Sequence, residues 1–133
     1  DIYNFGDHIR DFSYIDDVVE CLKKIKNKYP KKNKSINSHN PSLSSVPFQL
    51  LNIGNQNKVK LIDYIKEIEK ILNINAKKNY LNLQLGDIPK SYSKMTNTDK
   101  LTKYKFKVNY KEGVKKFIDW FIKHHKKNWL IQL

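Results

Sequence analysis

Residues 48–53, Phe-Gln-Leu-Leu-Asn-Ile, closed by Gly54, form a short apolar run interrupted only by Gln49 and Asn52. A run of this length bounded by turn residues predicts a buried strand. A buried strand must pair its amides and carbonyls on both sides, which demands neighbouring strands. The rest of the chain offers few. Ile2 to Phe5 reads as a strand, Lys77 to Leu83 as a short one, and Gly86-Asp87-Ile88-Pro89 as a turn. The expectation is therefore a mixed α/β chain with too few strands for a closed sheet of its own, the missing neighbours lying in polypeptide before Asp1.

Helices alternate with these segments. Asp17 and Glu20 have the spacing of a capping box, and Val18, Val19, Leu22, Ile25 and Tyr29 recur behind them at helical intervals, predicting a helix over 16–29 that Pro30 ends. Leu61, Ile65, Ile68 and Leu72 predict a second over 59–72. Residues 98–104 suit a brief helix. Asn109 and Glu112 cap a last one, with Val114, Phe117, Ile118, Phe121, Ile122 and His125 on one face. At 133 residues the chain makes one unit, with 31–47 a flexible loop rich in Lys, Asn, Ser and Pro.

Charge argues less than its size suggests. The formal net charge is +13, which raises nucleic acid or an anionic surface as partner. The lysines are spread through every segment, however, and no zinc-finger spacing, helix-turn-helix or RNP-like aromatic run receives bases. Cys21 is the sole cysteine, so no intrachain disulfide forms and a core-packing role in a reducing, cytoplasmic compartment is expected. No apolar run approaches a membrane span. His124 and His125 are adjacent and point about 100 degrees apart on a helix, so they do not share a metal, and His8 and His39 stand alone. All four read as ordinary, and Asp16 and Asp17 as helix-capping acids.

Arg10 stands out differently. It is the one arginine among 26 basic residues, opening Arg10-Asp11-Phe12-Ser13-Tyr14-Ile15-Asp16-Asp17. A guanidinium grips two phosphate oxygens in one plane, which a lysine cannot do. A salt bridge to Asp16 or Asp87 is the structural alternative.

Three segments then fit one pattern in order: Tyr3-Asn4-Phe5-Gly6 leading to Arg10–Asp17, Ser45-Val46-Pro47-Phe48 leading to Leu51-Asn52-Ile53-Gly54-Asn55, and Gln84-Leu85-Gly86-Asp87-Ile88. With the ending from Asn109 to Phe121, they resemble the carboxyl-terminal part of the extended short-chain dehydrogenase/reductase family, and within it the UDP-glucuronate 4-epimerases of bacterial surface-polysaccharide synthesis. The resemblance runs from Ile2 to about Lys123. It implies a substrate-binding lobe plus the last strand and helix elements of a Rossmann sheet, without the amino-terminal Rossmann core.

The family's Gly-rich NAD turn and its Tyr-x-x-x-Lys pair have no counterpart here. Gly6, Gly54, Gly86 and Gly113 are dispersed, Tyr92 and Lys94 are two apart, and Tyr14 has Val18 four residues on. The resemblance thus implies NAD bound by an absent lobe, none held by this chain, no catalytic residue in it, and a UDP-sugar as its ligand. Arg10 would grip the diphosphate. Gln84 would hydrogen-bond where many relatives place a second arginine, Asp87 would orient that loop or reach the ribose, Asn57 would meet the ribose, and Ser91 would stand near the sugar. Plain turn roles remain open for Asp87 and Asn57. Relatives carry an Ala-Asp pair where this chain has Ser93-Lys94, so the following helix cap should be lost or replaced by Ser93 or Thr96. The readings left standing are the UDP-sugar-binding part of an epimerase-like enzyme that needs its other lobe, a non-catalytic basic module for nucleic acid or anionic polymer, and a decayed or split gene product.

Overall fold

The computed structural model describes residues 1–32 and 44–125. The elements run in the order of a 3-10 turn Tyr3–Gly6, strand β1 Ile9–Arg10, helix α1 Ile15–Ile25, strand β2 Val59–Lys60, and helices α2 Leu61–Leu72, α3 Thr96–Thr102 and α4 Tyr110–His125. β1 pairs antiparallel with β2, Ile9 opposite Lys60 and Arg10 opposite Val59. On its other side Ile9 makes a parallel bridge to Lys90, with the Ile9 amide on Pro89 O at 2.9 Å and the Ser91 amide on Ile9 O at 2.9 Å.

All four expected helices are present, α3 two residues ahead of the expected 98–104. α2 packs on α4 and α1 on α3. Between α1 and α3 lies a small core of Cys21, Met95 and Tyr104, flanked by Ile25, Ile53 and Phe106. Cys21 is a packing residue, and burial pushes its thiol up from the ordinary value. Val114 and Ile118 are the buried positions of the α4 stripe, while Phe117 and Trp120 stay half exposed. Asn109 Oδ1 accepts from the Glu112 amide at 3.1 Å, so the α4 cap forms as its spacing predicts. No helix among the described residues is long and apolar enough to cross a membrane.

Three strand expectations are corrected. Residues 2–5 wind into a 3-10 turn in which Asn4 and Phe5 both take φ 50, and only Ile2 makes a bridge, to Tyr80. Lys77 to Leu83 contributes only that one bridge. Residues 48–53 hold a single bridge position, Gln49, and leave Phe48 and Leu50 exposed. The reason is the one the sequence raised: a strand forms where a neighbour satisfies its backbone, and the described residues place no strand beside this run. Of the loop expected at 31–47, residues 33–43 and with them His39 lie outside the described residues.

The capping box at α1 is also corrected. The helix starts at Ile15 behind Tyr14, with no side-chain cap. Asp17 instead turns inward, 3% exposed, and accepts from Tyr104 Oη at 2.6 Å and from the amides of Lys107 and Val108 at 3.1 and 2.9 Å. α1 ends at Ile25 rather than Tyr29, and Tyr29 is exposed.

Candidate functional site

The segment Arg10–Asp17 ties the molecule together. Arg10 sits at the end of β1, where strand geometry sends its side chain to the same face as His8. Its Nη1 donates to Ile88 O at 2.8 Å, Pro89 O at 3.2 Å and Ile9 O at 3.1 Å, and its Nη2 lies 3.0 Å from Asp87 Oδ1. The Arg10–Asp87 salt bridge is therefore formed, and the one to Asp16 is not. A guanidinium carries five N–H donors, so this arrangement leaves the Nε–H and one Nη2–H without a partner among the described residues.

Asp11 fastens the next two loops. Its Oδ2 accepts from the Gln56 amide at 3.0 Å, the Ser93 amide at 3.1 Å and the Ser93 hydroxyl. Ser13 Oγ accepts from the Asn55 amide at 3.0 Å, and Asn55 Nδ2 donates to Val108 O at 3.2 Å. Phe12 stacks on Tyr64 of α2 with ring centroids 3.9 Å apart. The α3 amino terminus has no side-chain cap of its own, and neither Ser93 nor Thr96 replaces the missing acid. Gln56 Oε1 takes the Met95 amide at 3.2 Å instead, a long-range substitute that local spacing could not reveal.

These loops enclose an open polar cleft of about 460 Å³ lined by Arg10, Asp11, Ser13, residues 51–54 and residues 91–93. A second, apolar hollow of about 240 Å³ lies between Phe12, Tyr64, Tyr110 and Phe117. The polar cleft is the better candidate for a charged ligand, because it holds a cation with unspent donors beside hydroxyl and amide groups. Of the five residues singled out in the sequence, Arg10 and Ser91 line it, and Asp87 reaches it through Arg10. Gln84 and Asn57 are exposed outside its wall, where Gln84 O accepts from the Asp87 amide at 3.0 Å. Residues the sequence reading passed over are Asp11 and Ser93, which hold the cleft's two rims together, and His8, whose Nε2 lies 2.9 Å from Asp87 Oδ2. That pair is at ion-pair distance without the alignment of a hydrogen bond. The alternation His8-Ile9-Arg10 was the available signal.

Gly54 is where the cleft floor demands glycine. A Cβ there would lie 2.7 Å from Ser93 Cβ and 2.8 Å from Asp11 Oδ2, and would strike the Ser93 hydroxyl outright. Gly54→Ala should therefore cost roughly 1–3 kcal/mol by overpacking. Ser93→Gly in the same chain should return part of the loss, which urea unfolding midpoints would read. Additive costs in the double variant would refute this contact as the cause.

An α/β lobe with this cleft, and with glycines too dispersed to seat a dinucleotide, has the architecture of the carboxyl-terminal lobe of the extended short-chain dehydrogenase/reductase fold. No protein-family model matches the chain. It is 36% identical to Protein CapI of Staphylococcus aureus over 96% of this chain and 39% of that protein. It is 31% identical to a probable UDP-glucuronate 4-epimerase of Rhizobium meliloti, over 96% of this chain and 38% of the relative. Among solved structures, the Bacillus cereus UDP-glucuronic acid 4-epimerase in complex with UDP-glucuronic acid and NAD superposes with a TM-score of 0.69 at 22% identity, covering 92% of this chain and 35% of the enzyme. The chain thus spans somewhat over a third of the length of these relatives. It belongs to the extended short-chain dehydrogenase/reductase family of nucleotide-sugar epimerases and dehydratases, and corresponds to its carboxyl-terminal portion.

Proposed function

We propose that this chain is the UDP-sugar-binding portion of an NAD-dependent UDP-glucuronate 4-epimerase-like enzyme of surface-polysaccharide biosynthesis, working in the cytoplasm and inactive without a Rossmann lobe. The observation that carries the reading is Arg10: one guanidinium, held by three backbone carbonyls and Asp87, with two donors left over at the edge of a polar cleft. Relatives whose names give UDP-glucuronate as substrate support the choice of ligand.

In this reading the diphosphate lies against Arg10, and Ser91 stands toward the sugar. Gln84 and Asn57, exposed on the outer rim, would come into play only if their loops fold inward over the nucleotide. The chain's task is to hold the nucleotide while the sugar ring turns over, so that binding energy remote from C4 positions the reacting carbon. In this reading NAD, and with it the oxidation and re-reduction at C4, belongs to the other lobe.

Calorimetric titration with UDP, UDP-glucuronate and an unrelated oligonucleotide at rising salt tests this reading. UDP binding should persist as salt rises and weaken roughly 10–100-fold in Arg10→Lys, which loses a charge-assisted fork. Oligonucleotide binding that exceeds UDP binding and collapses steeply with salt would instead mark a basic polymer-binding module.

A further inference from the structure

We propose that His8 is a positioning residue for Arg10, acting through Asp87. His8 and Arg10 are two apart on an extended segment, so their side chains leave the same face, and Asp87 lies between them. Both carboxylate oxygens have a close polar neighbour, Oδ1 by hydrogen bonds and Oδ2 by an ion-pair contact. Oδ1 takes Arg10 Nη2 at 3.0 Å and the Ile88 amide at 2.7 Å, while Oδ2 faces His8 Nε2 at 2.9 Å.

A carboxylate free at one oxygen can turn about its last torsion and offer either oxygen to a guanidinium. One fixed at both cannot, and the plane of Asp87 then sets the plane of the Arg10 fork. The imidazole is only 3% exposed, so water does not compete for it. Its backbone is pinned as well, with the Leu61 amide on His8 O at 2.9 Å. An apolar side chain would fill the same volume, whereas a ring nitrogen 2.9 Å from the carboxylate oxygen is a polar contact as well as bulk. The consequence is orientation: the unspent Nε–H and Nη2–H of Arg10 keep one direction toward the cleft instead of sampling several.

The test exploits composition. Arg10 is the only arginine, so the guanidinium Nε–H gives one unambiguous signal in a proton–nitrogen correlation spectrum. In the wild type it should be a single sharp line. His8→Phe keeps the bulk but not the nitrogen, and should broaden and shift that signal; His8→Gln, long enough to reach Asp87, should restore it. A His8→Phe spectrum matching the wild type would overturn the proposal.

The second arm rests on the reading of Arg10 as a diphosphate anchor. His8→Phe should weaken UDP roughly tenfold and leave uridine unchanged, with His8→Gln within about threefold of the wild type. Equal losses for UDP and uridine would show a merely structural role and refute positioning. Should His8→Phe fail to fold, His8→Asn replaces it: one methylene shorter than Gln, it must fall behind Gln in both measurements, and parity between them overturns the idea. If the wild type binds no UDP, the functional reading fails while the Arg10 spectra still judge His8.

Discussion

Asp17→Ala should unfold this chain at room temperature or bring it to the edge of doing so. The carboxylate is buried and receives three donors, the Tyr104 hydroxyl and the amides of Lys107 and Val108, joining α1 to the segment that leads into α4. Truncation leaves the buried Tyr104 hydroxyl and two part-buried amides without their acceptor. The cost is roughly 3–5 kcal/mol, against about 5–15 kcal/mol for a whole domain. Tyr104→Phe removes one partner of the set and should cost roughly 1–2 kcal/mol. Thermal melts followed by circular dichroism would decide it, and an Asp17→Ala chain melting with the wild type would show the cluster to be idle.

The same cluster contributes to stability at both ends of the pH range. Burial pushes the Asp17 carboxyl up, but the hydrogen bonds from Tyr104, Val108 and Lys107 and the Lys107 charge outweigh it and hold the group below the ordinary aspartate value. Its stabilisation is present above the unfolded aspartate pKa of about 3.9 and is lost as pH falls through the lower folded value. Tyr104 is pushed up to about 12, first by its hydrogen bond to Asp17 and then by burial. Its contribution is complete below the unfolded tyrosine pKa of about 10 and disappears as pH rises toward 12. Burial pushes the Tyr64 phenol up as well, so phenolate absorbance should show one late-titrating tyrosine fewer in Tyr104→Phe than in the wild type, the one lost being the latest to titrate.

Asp17 also shows where sequence reasoning met its limit. Asp17 and Glu20 do have cap spacing, but a local pattern cannot tell an acid that bonds its own helix from one whose donors lie 87 to 91 residues away. The helices were legible because Leu61, Ile65, Ile68 and Leu72 on α2, or Val114 and Ile118 on α4, carry a 3.6-residue period that needs no partner to be read. Strands have no such autonomy. Phe48 to Ile53 has strand composition and makes no strand, because pairing depends on neighbours in space. At the cleft, the guanidinium argument located Arg10, and the family resemblance located Ser91. The same resemblance gave Gln84 and Asn57, which sit exposed outside the cleft wall, since a matched motif position does not fix which way its side chain looks. His8 escaped notice because it was weighed as a metal ligand, when its partner was a carboxylate in a distant turn.

The other large effect expected is restoration of activity by a second lobe. Ile15, Val19 and Leu22 are exposed at i, i+4 and i+7 on one face of α1, and Val46, Phe48 and Leu50 are exposed on the bent segment that leads into Leu51. Together they are six large apolar side chains without cover among the described residues. Covering six half-exposed apolar side chains is worth on the order of 5–10 kcal/mol, a driving force comparable to the stability of a domain. Joining the amino-terminal portion of the Bacillus cereus UDP-glucuronic acid 4-epimerase to this chain should therefore give a folded chimera that binds NAD and interconverts UDP-glucuronate with its C4 epimer, where the amino-terminal portion alone does not. On the proposed reading of Arg10 as diphosphate anchor, Arg10→Lys in the chimera should lower kcat/KM roughly 10–100-fold. Replacing Val19 and Leu22 with Asp should abolish activity by blocking the joint without touching the cleft. A chimera that folds, holds NAD and still neither binds nor turns over UDP-glucuronate would show that this lobe has lost the anchor, whatever its ancestry.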